Sequence, residues 1–417
     1  MKIGEIIGND RGDGSKPLDG IRILAIEQMQ ALPFATQLLG HLGAEVVKVE
    51  HPITGDSGRG SLPAVHDIDG RDVGATYLRN SLSKKSIAVD LKNPEGVNLI
   101  KKLSKNFDIV AENFKPGTMK RLGLGYEDLT SDNESLVYVS VSGFGNLQES
   151  PYAHWPAYAS IAEGMAGFYE IRREPDQYPR IGPSGALGDI GSALFAAIGI
   201  LAALRHRDAT GKGQYVDISM FDAMVSMADI VPFFLSMGVF KQKSRVAGIV
   251  NTFKADDGFF IAQAVRPHQL ELFSKAVGHE EWLEDPRFAD RSGWQEHFDE
   301  VIQPAVEEWA KGKTMLEACN ELTSQGLAAG PCVSPEHVVS DPHVNSHNML
   351  IEVPRPDSDE PLLVAGNPVK MSSVQEGPVE RWPTLGEHTD AVLRADLGID
   401  DSEIARLRDT GAIGGDA

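Results

Sequence analysis

The chain of 417 residues carries only two cysteines, Cys319 and Cys332. So few exclude a disulfide framework, and a reducing cytoplasm is the expected setting. Positive charge is also in short supply. Lysine and arginine total 39 against 60 aspartates and glutamates, a formal net charge of −21. Nucleic acid is gripped by clustered cations, so it is not an expected partner. Long hydrophobic runs are missing as well. The opening MKIGEIIGND lacks the apolar core of a secretory signal. The longest weakly polar stretch, residues 191–204, falls short of the roughly 20 residues a membrane crossing needs. It reads as a buried helix, and no membrane is expected as a partner.

Several cofactor and catalytic signatures are absent too. No G-x-G-x-x-G occurs; near misses such as GLG (123–125), GFG (143–145) and GKG (211–213) lack the third glycine, which argues against a Rossmann NAD site. TGKGQ (210–214) is a fragment of a phosphate loop, but its first glycine is missing and it precedes a strand. His337, His343 and His347 form the densest histidine group, yet there is no H-E-x-x-H, so no metal site is expected. No G-x-S-x-G elbow is present.

What is there is ordered. IRILAI (21–26) reads as a buried strand, Pro33 opens a helix with Phe34, Leu38, Leu39 and Leu42 on one face, and AEVVKVE (44–50) is the next strand. SIAVDL (86–91), a helix over 94–105, DIVAEN (108–113) and LVYVSVSGF (136–144) continue the alternation. This pattern predicts an α/β layer with an open parallel, doubly wound sheet, whose ligands bind at the carboxyl ends of the strands. Residues 146–188 are looser. A small-residue helix over 189–204, a strand at QYVDISM and a helix from Asp222 follow. From about residue 240 a hairpin (253–264) and helices over 267–277, 294–311 and 314–325 predict a smaller α+β domain. Pro-rich connections and helices over 388–397 and 402–408 close the chain. The expected division is 1–225 for the first part of the large domain, 226–335 for the small domain with linkers, and 336–417 for a segment returning to the large domain.

The densest chemical signal is GALGDIGSALFAAIG, around Asp189. An aspartate at the head of a helix is a good N-cap. Gly185, Gly188 and Gly191 point elsewhere: they strip side chains from around one carboxylate and would let a bulky substrate reach it. A carboxylate in the field of a helix N-terminus stays ionised and can act as a nucleophile.

With these motifs the chain resembles the family III CoA-transferases. The resemblance runs over about residues 17–413, through PLDGIRILAIEQ, LGAEVVKVEHPITGD, NSLSKKSIAVDLKNPEG, ENFKPGTMKRLGLGYEDL, VSGFG, the Asp189 block with TGKGQYVDISMFDA, GLAAGPCVSPEHVVSDPH and LGEHTDAVL. It implies CoA transfer from an acyl-CoA thioester to a free carboxylic acid, with coenzyme A as substrate rather than as a permanently bound cofactor. It also implies an interlocked homodimer of ring-shaped monomers. By position, the nucleophile is Asp189, and CoA contacts fall on Gln30, His51, Val89, Lys92, Asn113, Phe114, Lys115 and Arg121. Lys92, Lys115 and Arg121 suit phosphates, and Phe114 suits an adenine ring. Lys84 and Lys85 read as surface residues. Backbone N–H groups near Gly188 or Gly248 are candidates for an oxyanion site.

The sequence departs from the formyl-CoA:oxalate pattern in two places. The region 244–258 has only Gly248 before its turn where that pattern is glycine-rich, and Ala159, beside Tyr158, replaces an acidic residue. Two other functions fit the same chain. One is an α-methylacyl-CoA racemase, which needs a histidine where Tyr158 or Ala159 stands, His154 being displaced by about a helical turn. The other is a non-catalytic acyl-CoA binding protein.

Overall fold

The computed structural model describes residues 1–8, 11–12, 14–131, 133–170, 173, 176–182, 185–228, 231–238 and 247–414. Residues 244–246 of the glycine-poor region lie outside the described residues. By its contacts the chain divides into two units, 1–230 with 346–417, and 231–345.

The first unit is built on six strands: β1 (Arg22–Ile26), β2 (Glu45–Glu50), β3 (Lys85–Ala88), β4 (Ile109–Glu112), β5 (Val137–Ser142) and β6 (Tyr215–Ser219). All pair in parallel, in the spatial order β3-β2-β1-β4-β5-β6. The fold is therefore α/β with an open parallel sheet, and strand order reverses between β1 and β4, where ligands of such sheets bind. Period-2 alternation sends Ile23 and Ala25 into one core and Leu24 and Ile26 into the other. Buried on both faces, the strands carry the near-continuous apolar runs that made them legible.

Helices α1 (Ala31–His41) and α4 (Leu187–Thr210) cover the first face. Leu32, Ala35 and Leu39 pack in the same cluster as Ala193, Ala196 and Ile200. Between them in sequence come α2 (Pro94–Ser104) and α3 (Ala159–Met165), and α5 (Met220–Met227) follows β6. α2 covers the other face together with the C-terminal segment, whose Val392, Leu393, Leu407 and Ile413 join Leu24, Leu99 and Leu103. α1 begins two residues before Pro33. Proline is tolerated there because the first N–H groups of a helix have no intrahelical acceptor. α2 has the caps its sequence prescribes: Asn93 Oδ1 accepts from Glu95 N at 2.9 Å, and Pro94 is the first helical residue.

Within this unit the elements differ from the expectations in several places. β3 stops at Ala88, and Val89 instead forms a bridge with Ile413. α4 runs 24 residues, beyond the apolar stretch at 191–204, and is long and apolar enough to cross a membrane by length and composition. It is nonetheless packed on the sheet through Ala193, Ala196, Ile200, Ala203 and Leu204. The loose region 146–188 contains α3. Within the Pro-rich C-terminal connections, Leu350–Arg355 and Ser358–Ala365 pair as an antiparallel ribbon.

The second unit pairs Ile249–Ala255 with Gly258–Ala264 and adds Ala328–Cys332 on the outer side, all antiparallel. Phe253, Phe260, Phe273, Trp294 and Phe298 centre its core. The helix expected over 294–311 is interrupted: Arg291–Glu296, a wider turn Phe298–Ile302, then Gln303–Ala310.

Candidate active site

Every strand of the sheet ends on the same edge, because all six are parallel. α1 follows β1 and so starts at that edge. α4 precedes β6 and runs back against the strands, so its first turn lies there too. The chain thus brings Gln30, at the N-terminus of α1, and Asp189, in the first turn of α4, to the heads of two helices packed side by side.

At the switch point the loops after β1 and β4 are stapled together. Asn113 Oδ1 accepts from Gln28 N at 2.8 Å, and Asn113 Nδ2 donates to Gln28 O at 2.9 Å. The next residue, Met29, has φ 62°, a left-handed conformation that a side chain adopts only where its surroundings fix it. Asp56 does so: its Oδ1 accepts from Met29 N at 2.8 Å, while its Oδ2 meets Lys48 Nζ at 2.7 Å. Lys48 also donates to Glu27 O at 3.0 Å. The turn ends at Gln30, whose Nε2 is buried with no hydrogen-bond partner among the described residues. A buried amide donor left unpaired is costly, and a ligand acceptor would relieve it.

Lys92, Lys115 and Arg121 lie exposed beyond β3 and β4. Among the described residues none of them pairs with a carboxylate; Arg121 Nη2 reaches only Thr118 Oγ1, at 2.9 Å. Phe114 is half-buried against the core, and its N–H donates to Glu112 Oε2 at 2.8 Å. His51 Nδ1 accepts from Ile53 N and Thr54 N at 3.2 and 3.3 Å, so its ring closes its own turn. Val89 is buried as a whole residue, and its N–H donates to Glu50 O at 2.9 Å, so the structure does not present it to a ligand.

Lys84 is not a surface residue. It is buried, and its ammonium donates to Glu27 Oε1 (2.8 Å), Pro33 O (2.9 Å) and Thr36 Oγ1 (2.7 Å), which uses all three of its protons. Lys85 is partly exposed and lies 3.5 Å from Glu45.

The surroundings of Asp189 revise the expectations drawn from its glycines. A Cβ on Gly188 would stand 2.8 Å from Ala159 Cα, and one on Gly191 would stand 2.4 Å from Met227 Sδ. These two glycines admit α3 and α5 rather than a substrate. Gly185, with φ +57°, is the one of the three where an added Cβ would meet only an ordinary contact, Ile190 Cδ1 at 4.0 Å. Nor is Asp189 the cap of its helix. Ala186 holds the N-cap position with no side-chain acceptor. Glu163, on α3, supplies it: its Oε1 accepts from Gly188 N at 2.9 Å, and its Oε2 accepts from the Tyr169 hydroxyl at 2.5 Å. The Gly188 N–H is therefore committed and not free for an oxyanion. Gly248, in the second unit, donates its own N–H to Arg291 O.

Burial, and then the negative charge of Glu163, push the Asp189 carboxyl up to about 6. The helix field does not hold it low. It is still about nine-tenths ionised at pH 7. Sequence reasoning missed Glu163 because α3 is short and sits among Gly, Pro and Tyr. The available signal was the spacing Ala159, Ala162, Glu163, Ala166, one face of a helix.

A doubly wound sheet carrying these groups on its carboxyl edge defines a ligand-binding α/β protein. CoA-transferase family III matches residues 18–389. The chain is 35% identical over 402 residues to succinyl-CoA–D-citramalate CoA-transferase of Chloroflexus aurantiacus, spanning 94% of this chain and 97% of that protein. It is 31% identical over 429 residues to formyl-CoA:oxalate CoA-transferase of Rhodopseudomonas palustris, spanning 96% and 97%. The crystal structure of a CAIB/BAIF family protein from Brucella suis aligns with a TM-score of 0.78 at 31% identity, covering 92% of this chain and 100% of that one. The chain belongs to CoA-transferase family III and is an enzyme of the CoA-transferase class.

Proposed function

We propose that the protein moves coenzyme A from an acyl-CoA thioester to a free carboxylic acid, with Asp189 as nucleophile. The observation that carries this reading is an uncapping carboxylate in the first turn of α4, on the same sheet edge as the unpartnered amide of Gln30. An Asp189 oxygen attacks the thioester carbonyl, the C–S bond breaks, and CoA leaves as thiolate, giving an aspartyl-acyl anhydride. The thiolate then attacks the aspartyl carbonyl and expels the donor acid as carboxylate, leaving an aspartyl-CoA thioester. The acceptor carboxylate repeats these steps in reverse. Covalent catalysis divides one difficult exchange into easier ones, and binding energy from the distant nucleotide holds the reacting atoms in place.

In this reading Lys92, Lys115 and Arg121 bind CoA phosphates, Gln30 and the backbone at His51 line the ligand, and Asn113 and Phe114 shape the loop that receives it. The protein acts as a homodimer in the reducing cytoplasm. Leu194, Ile198 and Leu201 form an exposed apolar stripe along α4, which supports burial by a second copy. Cys319 and Cys332 are both free, which agrees with a reducing compartment.

The test is isotope exchange between free acids and acyl-CoA, begun with succinyl and formyl donors because the relatives are named for them. Asp189→Asn should abolish exchange while CoA still binds, and hydroxylamine should trap Asp189 only when acyl-CoA is present. Exchange at the wild-type rate in Asp189→Asn would overturn the mechanism. A racemase would instead wash deuterium into the α-carbon of a 2-methylacyl-CoA. Against it stand the exposed position of His154 and the presence of Glu163, not histidine, beside Asp189.

A further inference from the structure

Glu163 is an unusual group to bury. The residue is only 6% exposed, no cation pairs with it among the described residues, and both its oxygens face donors: the Gly188 N–H and the Tyr169 hydroxyl. An isolated buried carboxylate is expensive, and a neutral acceptor would cap α4 nearly as well. The elements packed on α4 add little charge of their own. α1 carries His41 at its far end, β6 carries Asp217 and α5 carries Asp222; Glu163 is the charged group whose field reaches Asp189. Tyr169 is the other titratable group in contact with it.

We propose that Glu163 is a positioning residue for the nucleophile: it caps α4 so that Asp189 need not, and its fixed negative charge drives Asp189 toward its neutral acylated forms. This rests on Asp189 being the nucleophile. When the aspartyl–acyl bond forms and the C–S bond breaks, the negative charge leaves Asp189 with the thiolate. Repulsion from Glu163 is present in the free carboxylate and relieved in the anhydride and in the aspartyl thioester, so it works on the reacting group before each acylation. No proton moves to or from Glu163 in the cycle. The hydrogen bond from Tyr169 spreads part of the charge away from Asp189 and so tempers the effect.

The experiment is the pH profile of acid–acyl-CoA exchange in Glu163→Gln. Glutamine keeps an oxygen for the Gly188 N–H and removes the charge, so thermal stability should hold within a few degrees. The acid limb of kcat/KM, set near 6 by Asp189, should move down by about one unit, and turnover at pH 8 should fall about tenfold as the nucleophile weakens. Glu163→Asp should restore part of both. An unmoved acid limb, with Asp189→Asn inactive in the same assay, would overturn the proposal and leave Glu163 a structural cap. If Asp189→Asn is active, the nucleophile assignment itself has failed. Tyr169→Phe gives an independent arm. It strips one hydrogen bond from the same carboxylate without touching the cap, so the limb should rise by a few tenths of a unit; no rise, or a fall, would overturn the proposal even if Glu163→Gln fails to fold.

Discussion

The side-chain amide of Asn113 closes a two-bond pair with the backbone of Gln28, at 2.8 and 2.9 Å, across the point where strand order reverses. It extends the β1–β4 pairing by one step beyond the strands and fixes the spacing of the two loops that flank Gln30 and Lys115. Asn113→Ala leaves the Gln28 N–H and C=O without these partners. It should cost about 1–3 kcal/mol in chemical unfolding and weaken CoA binding by calorimetry about tenfold. Asn113→Asp, which keeps the acceptor and loses the donor, should fall between.

Lys92, Lys115 and Arg121 are exposed and make no structural ion pair among the described residues. Their truncation to alanine should leave the melting temperature within about 1 °C, since surface changes of this kind are worth within ±0.5 kcal/mol. It should raise the CoA dissociation constant several-fold at low salt and less at 0.5 M salt, where exposed charges are screened. A net charge of −21 offers CoA no global attraction, so the loss of local cations should be plainly measurable.

Lys48 is buried between Asp56 and Glu27. Lys48→Met leaves the Asp56 carboxylate buried without its cation, and stability should fall by about 3–5 kcal/mol. The Met29 turn depends on Asp56, so CoA affinity should fall as well in any fraction that folds. Equilibrium unfolding and calorimetry on the same preparation check both.

Glu112, at the end of β4, is raised by burial to about 8 against an ordinary 4.5. The folded protein therefore holds this proton between those values and the unfolded chain does not. Stability contributed here is greatest below 4.5 and is lost as pH rises through the window to about 8. Glu112→Gln cannot ionise and keeps an oxygen for the Phe114 N–H. It should match the wild type near pH 5 and exceed it at pH 8.5 by on the order of 2–4 kcal/mol, at about 1.4 kcal/mol per unit. Urea unfolding at the two pH values gives the comparison; a variant less stable at pH 8.5 would refute it.

The central sheet was legible because buried parallel strands and amphipathic helices leave strong periodic patterns, as in IRILAI, AEVVKVE and the caps of α2. The ribbon Leu350–Arg355 with Ser358–Ala365 was not. Pro354 and Pro361 remove ladder donors and argue against a strand, but each strand of a two-stranded ribbon pairs within it on one side only, and the register shifts at Pro354. The helix over 294–311 reads as continuous from its apolar spacing, yet the wider turn Phe298–Ile302 re-aims it around the aromatic core.

By itself the sequence determined the α/β layer, the shortage of cations, and a glycine-flanked Asp189 at the head of a helix as the candidate nucleophile, because periodicity, composition and collinear motifs are local properties of the chain. Only the tertiary structure decided what surrounds that carboxylate. Gly188 and Gly191 make room for neighbouring helices, Lys84 is buried, and Glu163, 26 residues from Asp189, supplies the helix cap and a charge that adds to burial in raising it. Such facts depend on which distant segments share a low-dielectric space, where partners and burial set hydrogen bonding and ionisation.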